Sequence, residues 1–94
     1  MSTAAQIAVE RHAELVVARV SGEIDMANSA YVLDELVRAV PNGVSGLVVD
    51  LGETRYIDSA GIALLFGLAR RLARRRQSLR LVLPPSSPCA GCWR

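Results

Sequence analysis

Leu47-Val48-Val49-Asp50-Leu51, and a few residues later Ile57-Asp58-Ser59-Ala60-Gly61, are the stretch on which the reading of this chain turns. The first five residues form a near-continuous apolar run of strand length, the pattern of a central strand covered on both faces. Gly52 to Tyr56 then leads into the second motif, which places a small hydroxyl where a strand or loop becomes an apolar helix. Downstream, Ile62, Leu65, Phe66, Ala69, Leu72 and Ala73 recur at helical spacing and predict the stripe that the helix lays on the core. Ser59 is thus expected at a helix N-terminus, where backbone N–H groups are unpaired and the dipole is positive, so negative charge is favoured there. The plain alternative is a cap without function, since Asp and Ser are ordinary N-cap residues.

Before that stretch, Ile7 to Glu10 and Glu14 to Ser21 read as two strands of a hairpin. In the second, Val16, Ala18 and Val20 share one face and Leu15 and Val17 the other. Ser21 to Asp25 breaks the alternation, and a helix follows with Leu33, Leu36, Val37 and Val40 on its buried face. Its start is open among Asp25, Asn28 and Ser29; Pro41-Asn42-Gly43 closes it. Leu79, Leu81 and Leu83 alternate with Arg80 and Val82 as a last strand, ended by Pro84-Pro85. Strand, strand, helix, strand, helix, strand predicts an α/β fold with a mixed sheet, parallel where helices make the crossovers.

Ninety-four residues make one small domain, expected to bury roughly 60–65% of the surface its unfolded chain exposes. Hydrophobic residues make up 51% but aromatics only 4%, so Leu, Val, Ile and Ala must build the core. Charge is divided: residues 1–58 carry four Arg and nine acids, net −5, and residues 59–94 carry seven Arg and no acid, net +7. Six of those Arg lie between Arg70 and Arg80, at the end of the Ser59 helix and beyond. A helix C-terminus and a solvated face account for them, and no interleaved aromatic residue offers a base a stacking surface, so no specific nucleic-acid binding is expected. No apolar signal region or membrane-length run is present, and a cytoplasmic protein without membrane association is expected.

The sequence offers little to an enzyme. Ser59 resembles the serine of a nucleophile elbow, but Ile57 replaces the first glycine and the single His12 precedes the serine, so a minimal serine hydrolase is a weak alternative. No phosphate-binding glycine loop occurs, and the carboxylates lack metal-ligand spacing. Cys89 and Cys92 form a Cys-x-x-Cys pair, two ligands short of an ordinary zinc site and preceded by a loose Pro-rich segment. No cofactor and no metal are expected, and the chain reads as a substrate or binding partner.

From about Ile7 to Pro88 the chain resembles a STAS domain of the bacterial anti-sigma factor antagonist type. The resemblance rests on Gly22-Glu23-Ile24-Asp25, Leu47-Val48-Val49-Asp50-Leu51, Ile57-Asp58-Ser59-Ala60-Gly61 and Leu81-Val82-Leu83-Pro84, in order and spacing. It implies that Ser59 takes the position phosphorylated by an anti-sigma factor that is itself a serine kinase. It further implies a partner switch in stress-responsive transcription: the unmodified form binds the kinase and frees the sigma factor, phosphorylation releases it, and a PP2C-type phosphatase resets it. Asp25, Asp58, Ser59, Ala60, Gly61 and Leu64 are the expected partner-binding residues. Ala63, Leu64, Gly67 and Leu68, lying between the core positions, are expected to form an exposed apolar patch beside the hydroxyl. An unswitched STAS interaction module in a larger signalling assembly is the alternative.

Family members usually continue past Leu-Pro-Pro with a helix, a strand and a closing helix, whereas here Cys89-Ala90-Gly91-Cys92-Trp93-Arg94 follows. Residues 1–88 are therefore expected to form a STAS domain whose closing helix or helices are missing, with 89–94 a divergent tail. An uncovered core face over Leu64 and Leu68, with self-association through the incomplete C-terminus, is the corresponding expectation.

Overall fold

The computed structural model describes residues 5–83. The elements run β1 (Gln6–His12), β2 (Leu15–Ile24), α1 (Ser29–Arg38), β3 (Gly46–Ile57), α2 (Ser59–Arg74) and β4 (Ser78–Val82). The sheet order is β1-β2-β3-β4, with β1 antiparallel to β2 and the other two pairs parallel. This is the mixed α/β sheet expected from the order of patterns. The hairpin turn at Ala13-Glu14 joins β1 to β2, and each parallel pair is linked through a helix, as a parallel crossover requires.

Both helices contribute to one core. Val16, Ala18, Val20 and Ile24 of β2 and Leu47, Val49 and Leu51 of β3 meet Val32 and Leu36 of α1 and Leu64, Leu68 and Leu72 of α2 there, all buried. Alternate positions of the same strands, Val17, Arg19, Val48 and Asp50, are half-buried or exposed. The central strand is thus covered by helices on one face, not on both as its apolar run predicts. On the other face Glu10 meets His12 at 2.8 Å and Arg19 at 3.5 Å, and Arg19 lies 3.7 Å from Asp50. The hydrogen bond from His12, and then the charge of Arg19, hold the Glu10 carboxyl below its ordinary value.

Helix α1 begins after Asn28, which settles the three-way choice, and buries Val32 and Leu36; Leu33 and Val37 are half-buried at the margins of that face. β3 is more than twice the predicted length because Gly52 to Ile57 continues the ladder, with Gly22 opposite Thr54 and Ile24 opposite Ile57. The Thr54 hydroxyl donates to the Val20 carbonyl at 2.6 Å and helps hold this polar half of the strand.

The face of α2 that meets the sheet differs from the expected stripe. Gly61, Leu64, Leu68 and Leu72 are buried, while Ile62 and Phe66 point outward. Gly61 fixes the rotation: a Cβ there would lie 2.5 Å from Ile57 Cγ1 and 3.0 Å from Ile24 Cγ2, so the bare backbone is what lets the helix approach the strands. Leu64 and Leu68 are therefore covered by the sheet, contrary to the expectation that they lack cover.

At its far end α2 closes with paired bonds from Arg76 N to Ala73 O, 3.0 Å, and Gln77 N to Leu72 O, 2.9 Å. This is a Schellman motif with Arg76, φ 61°, in the place usually held by glycine. Gln77 is buried, and its Nε2 donates to the carbonyls of Pro41 and Val44, each at 2.9 Å, tying the two helix-to-strand connections together. The divergent tail, Cys89 to Arg94, lies outside the described residues.

Candidate functional site

Asp58 is the N-cap of α2, extended in backbone and accepting a hydrogen bond from Gly61 N through Oδ1 at 3.0 Å. Its second oxygen, Oδ2, accepts from Met26 N at 3.2 Å, and its own N–H donates to Ile24 O at 3.1 Å. One carboxylate therefore holds the start of α2 to the β2–α1 loop. Asp25 is the neighbour of Met26 in that loop, and its side chain closes the loop on itself by accepting from Ala27 N at 3.0 Å and Asn28 N at 3.3 Å. Asn28 completes the turn, accepting from Asp25 N at 3.0 Å and donating to Glu23 O at 2.8 Å. The two motifs, separated by more than thirty residues, thus meet at Asp58.

Ser59 is the first helical residue and is exposed. Because Asp58 does the capping, the Ser59 hydroxyl is not consumed as the cap, and no hydrogen bond from it is formed among the described residues. The N–H groups of the first turn have no intrahelical partner, and Asp58 occupies that of Gly61. Ala60 is half-buried. Gly61 and Leu64, expected on the partner surface, are instead buried, Leu64 to 6% exposure, since both belong to the face that packs on Ile24 and Ile57 and the core.

The apolar surface beside Ser59 comes from other residues. Ile62 and Phe66 stand one turn apart on the outer side of α2, exposed to 40% and 65%, and Met26, held to Asp58 through its N–H, is 79% exposed. Tyr56, two residues before Asp58, and Tyr31 in the first turn of α1 are also exposed. Helical spacing places Ile62 and Phe66 in the core, and nothing in the sequence pattern singles out Met26. The signal that could have separated them is the alternative stripe Gly61, Leu64, Leu68, Leu72, which starts on the one residue able to touch a strand.

His12 is opposite Leu15, which is opposite Gly46 at the start of β3, whereas Ser59 follows its end at Ile57. Twelve residues of strand separate the two levels, roughly 35 Å at about 3.3 Å per residue. The pair cannot act as nucleophile and base, and the hydrolase alternative loses its only imidazole.

Residues 7–89 match the family profile described as Mlab, STAS domain. The chain belongs to the STAS domain family. Among solved structures, this STAS domain is similar to an anti-sigma factor antagonist from Mycobacterium paratuberculosis, with TM-score 0.80 and 24% identity over 97% of this chain and 79% of that one. It is also similar to SpoIIAA, an anti-sigma factor antagonist solved in its unphosphorylated form, with TM-score 0.70 and 23% identity over 94% and 81% of the two chains. A third similarity, to Mglu, has TM-score 0.72 and 27% identity over 83% of this chain, which spans only 19% of Mglu. No curated protein sequence matches the chain. At these identities the likeness to the two antagonists establishes the fold alone. Among the described residues no helix of this STAS domain is long and apolar enough to cross a membrane.

Proposed function

We propose that this STAS domain is a non-catalytic anti-sigma factor antagonist, which binds an anti-sigma serine kinase when Ser59 is unmodified and is released when Ser59 is phosphorylated. A PP2C-type phosphatase restores the binding form, and the cycle runs in the cytoplasm. The observation that carries this reading is the exposed Ser59, whose hydroxyl is not used as a cap, with the exposed Ile62 and Phe66 three and seven residues on along the same side of α2 and the exposed Met26 in the loop tied to Asp58. Apolar surface of this kind gains by being covered. A phosphoryl group adds ~1.5–2 negative charges, and a partner covering the patch must then desolvate that charge beside the Asp58 carboxylate. Binding and release are thus assigned to the same few residues. Recognition is by Ile62, Phe66, Met26 and the exposed part of Ser59, with Asp58 and Asp25 shaping the loop that presents Met26.

The similarity to Mglu, where this fold occupies 19% of the chain, favours as second reading an unswitched STAS module within a larger assembly. Incubation with ATP and an anti-sigma kinase, followed by mass spectrometry, separates the two. The switch requires phosphate on Ser59 and its absence from Ser59→Ala; phosphate mapped to Ser21, Ser29 or Ser78, with Ser59 unmodified, rejects it.

A further inference from the structure

The opposite end of α2 gathers chemistry that the Ser59 surface does not use. Among the described residues every ion pair is made between positions 10 and 55: Arg19 with Glu10 and with Asp50, Arg38 with Asp34, and Arg55 with Glu23. The six arginines from Arg70 to Arg80 have no carboxylate side chain beside them there, and residues 1–4 and 84–94 contain no Asp or Glu that could supply one. Three of the six converge. Arg71, Arg74 and Arg75 are spaced i, i+3 and i+4 on one side of α2, and together with Leu72 and with Val37 of α1 they line an open groove of about 400 Å³. Arg75 is anchored across it, its Nη1 donating to the Val40 carbonyl at 3.1 Å, which uses one of five N–H groups and fixes the guanidinium for the rest.

We propose that this groove binds a compact phosphoryl anion carrying two or more negative charges, such as a pyrophosphate group or an organic phosphate ester. Guanidinium forks match phosphoryl oxygens in bidentate fashion, and three of them set a charge that a single carboxylate does not balance. The volume falls in the ~300–1,000 Å³ range of small-ligand sites, with room for a carbon skeleton against Val37 and Leu72. Among the described residues no aromatic side chain lines the groove, so none of them offers a nucleobase a stacking surface. The C-terminal end of a helix opposes an anion with roughly half an elementary charge. Three full positive charges outweigh it, and the carbonyls of Leu72 and Ala73 are already occupied by the Schellman bonds. The site is independent of what Ser59 does.

The test is a calorimetric titration of the 94-residue protein with inorganic pyrophosphate at ~150 mM salt, where exposed charges beyond about 8 Å are screened. The expected result is saturable one-to-one binding that Arg71→Gln with Arg74→Gln weakens roughly tenfold or more, the worth of a lost charge-assisted contact. Arg70→Gln with Arg80→Gln removes the same charge outside the groove and should weaken binding by no more than about twofold at this ionic strength. A second arm uses phosphatidylcholine vesicles with and without phosphatidate. Vesicle binding that needs phosphatidate and is lost in the Arg71/Arg74 variant assigns the phosphoryl group to a lipid headgroup; pyrophosphate binding without vesicle binding assigns it to a soluble ligand. Equal losses from the two double variants, no binding to either probe, or tighter binding of a poly-glutamate peptide than of pyrophosphate would each overturn the proposal. Unchanged thermal melts confirm that the exposed substitutions leave the fold in place.

Discussion

At its N-terminal end α2 offers a hydroxyl, the two loop carboxylates of Asp25 and Asp58, and outward apolar side chains; at its C-terminal end it offers arginines. A single buried stripe, Gly61, Leu64, Leu68 and Leu72, runs between them and serves both. The difference lies in what each end asks of a partner. Apolar cover around a neutral hydroxyl is a surface that one added phosphate can spoil, whereas a charge cluster of one sign responds to anions and to salt. One helix, held in one rotation by a glycine, can therefore carry two surfaces of opposite character without conflict.

The stripe that serves both ends carries the largest expected effect. Leu68→Ala should cost about 2–5 kcal/mol of unfolding free energy, while Phe66→Ala, on the outer face, should change it by no more than about 0.5 kcal/mol. Chemical denaturation of both variants measures this, and a larger loss from Phe66→Ala would restore the stripe read from sequence and remove the apolar patch. Asp58→Ala comes next, at about 1–2 kcal/mol, since it deletes the cap on Gly61 N and the bond from Met26 N together. Hydrogen exchange should show the Met26 and Gly61 amides losing protection in this variant while the Schellman end stays unchanged. At that other end Arg76→Gly should stabilise by roughly 0.5–1 kcal/mol, because glycine occupies φ 61° without the Cβ penalty.

The smallest effect is from pH on the open sheet face. The Glu10 carboxyl is held low by His12 and then Arg19, so its contribution is present above the ordinary carboxylate pKa and is lost as pH falls through the lowered value. Glu10→Gln should flatten only that limb of a stability-against-pH curve, and Glu10 is exposed enough for the change to be slight.

Much of this architecture was legible. The alternation in β2 and the Asp-Ser pair before an apolar helix each point to the element that forms, because pattern and burial agree there; the apolar run of β3 marks a strand, but its two-sided cover is not what forms, since helices pack on one face only. The rotation of α2 was not legible from periodicity, since apolar residues cover more than half its circumference and two overlapping stripes satisfy the same spacing. The deciding fact is tertiary: Gly61 touches Ile24 and Ile57, residues that only the fold brings to it. Gly52 to Tyr56 carries no apolar alternation, so its strand character arises from pairing with Ser21 to Ile24 and is invisible locally. The sequence marks Ser59 as a helix start, which it is, but the identity of its apolar neighbours depends on the rotation and is hidden with it.

The proposed switch is phosphate at Ser59 acting on a binding surface made by Ile62, Phe66 and Met26. It is tested most directly by the affinity of an anti-sigma kinase for three forms of the protein, unmodified, phosphoserine installed at position 59, and Phe66→Asp. The expected result is binding by the first and a weakening of roughly thirtyfold or more, about 2 kcal/mol, for each of the others. Equal affinity for the unmodified and phosphoserine forms would contradict it.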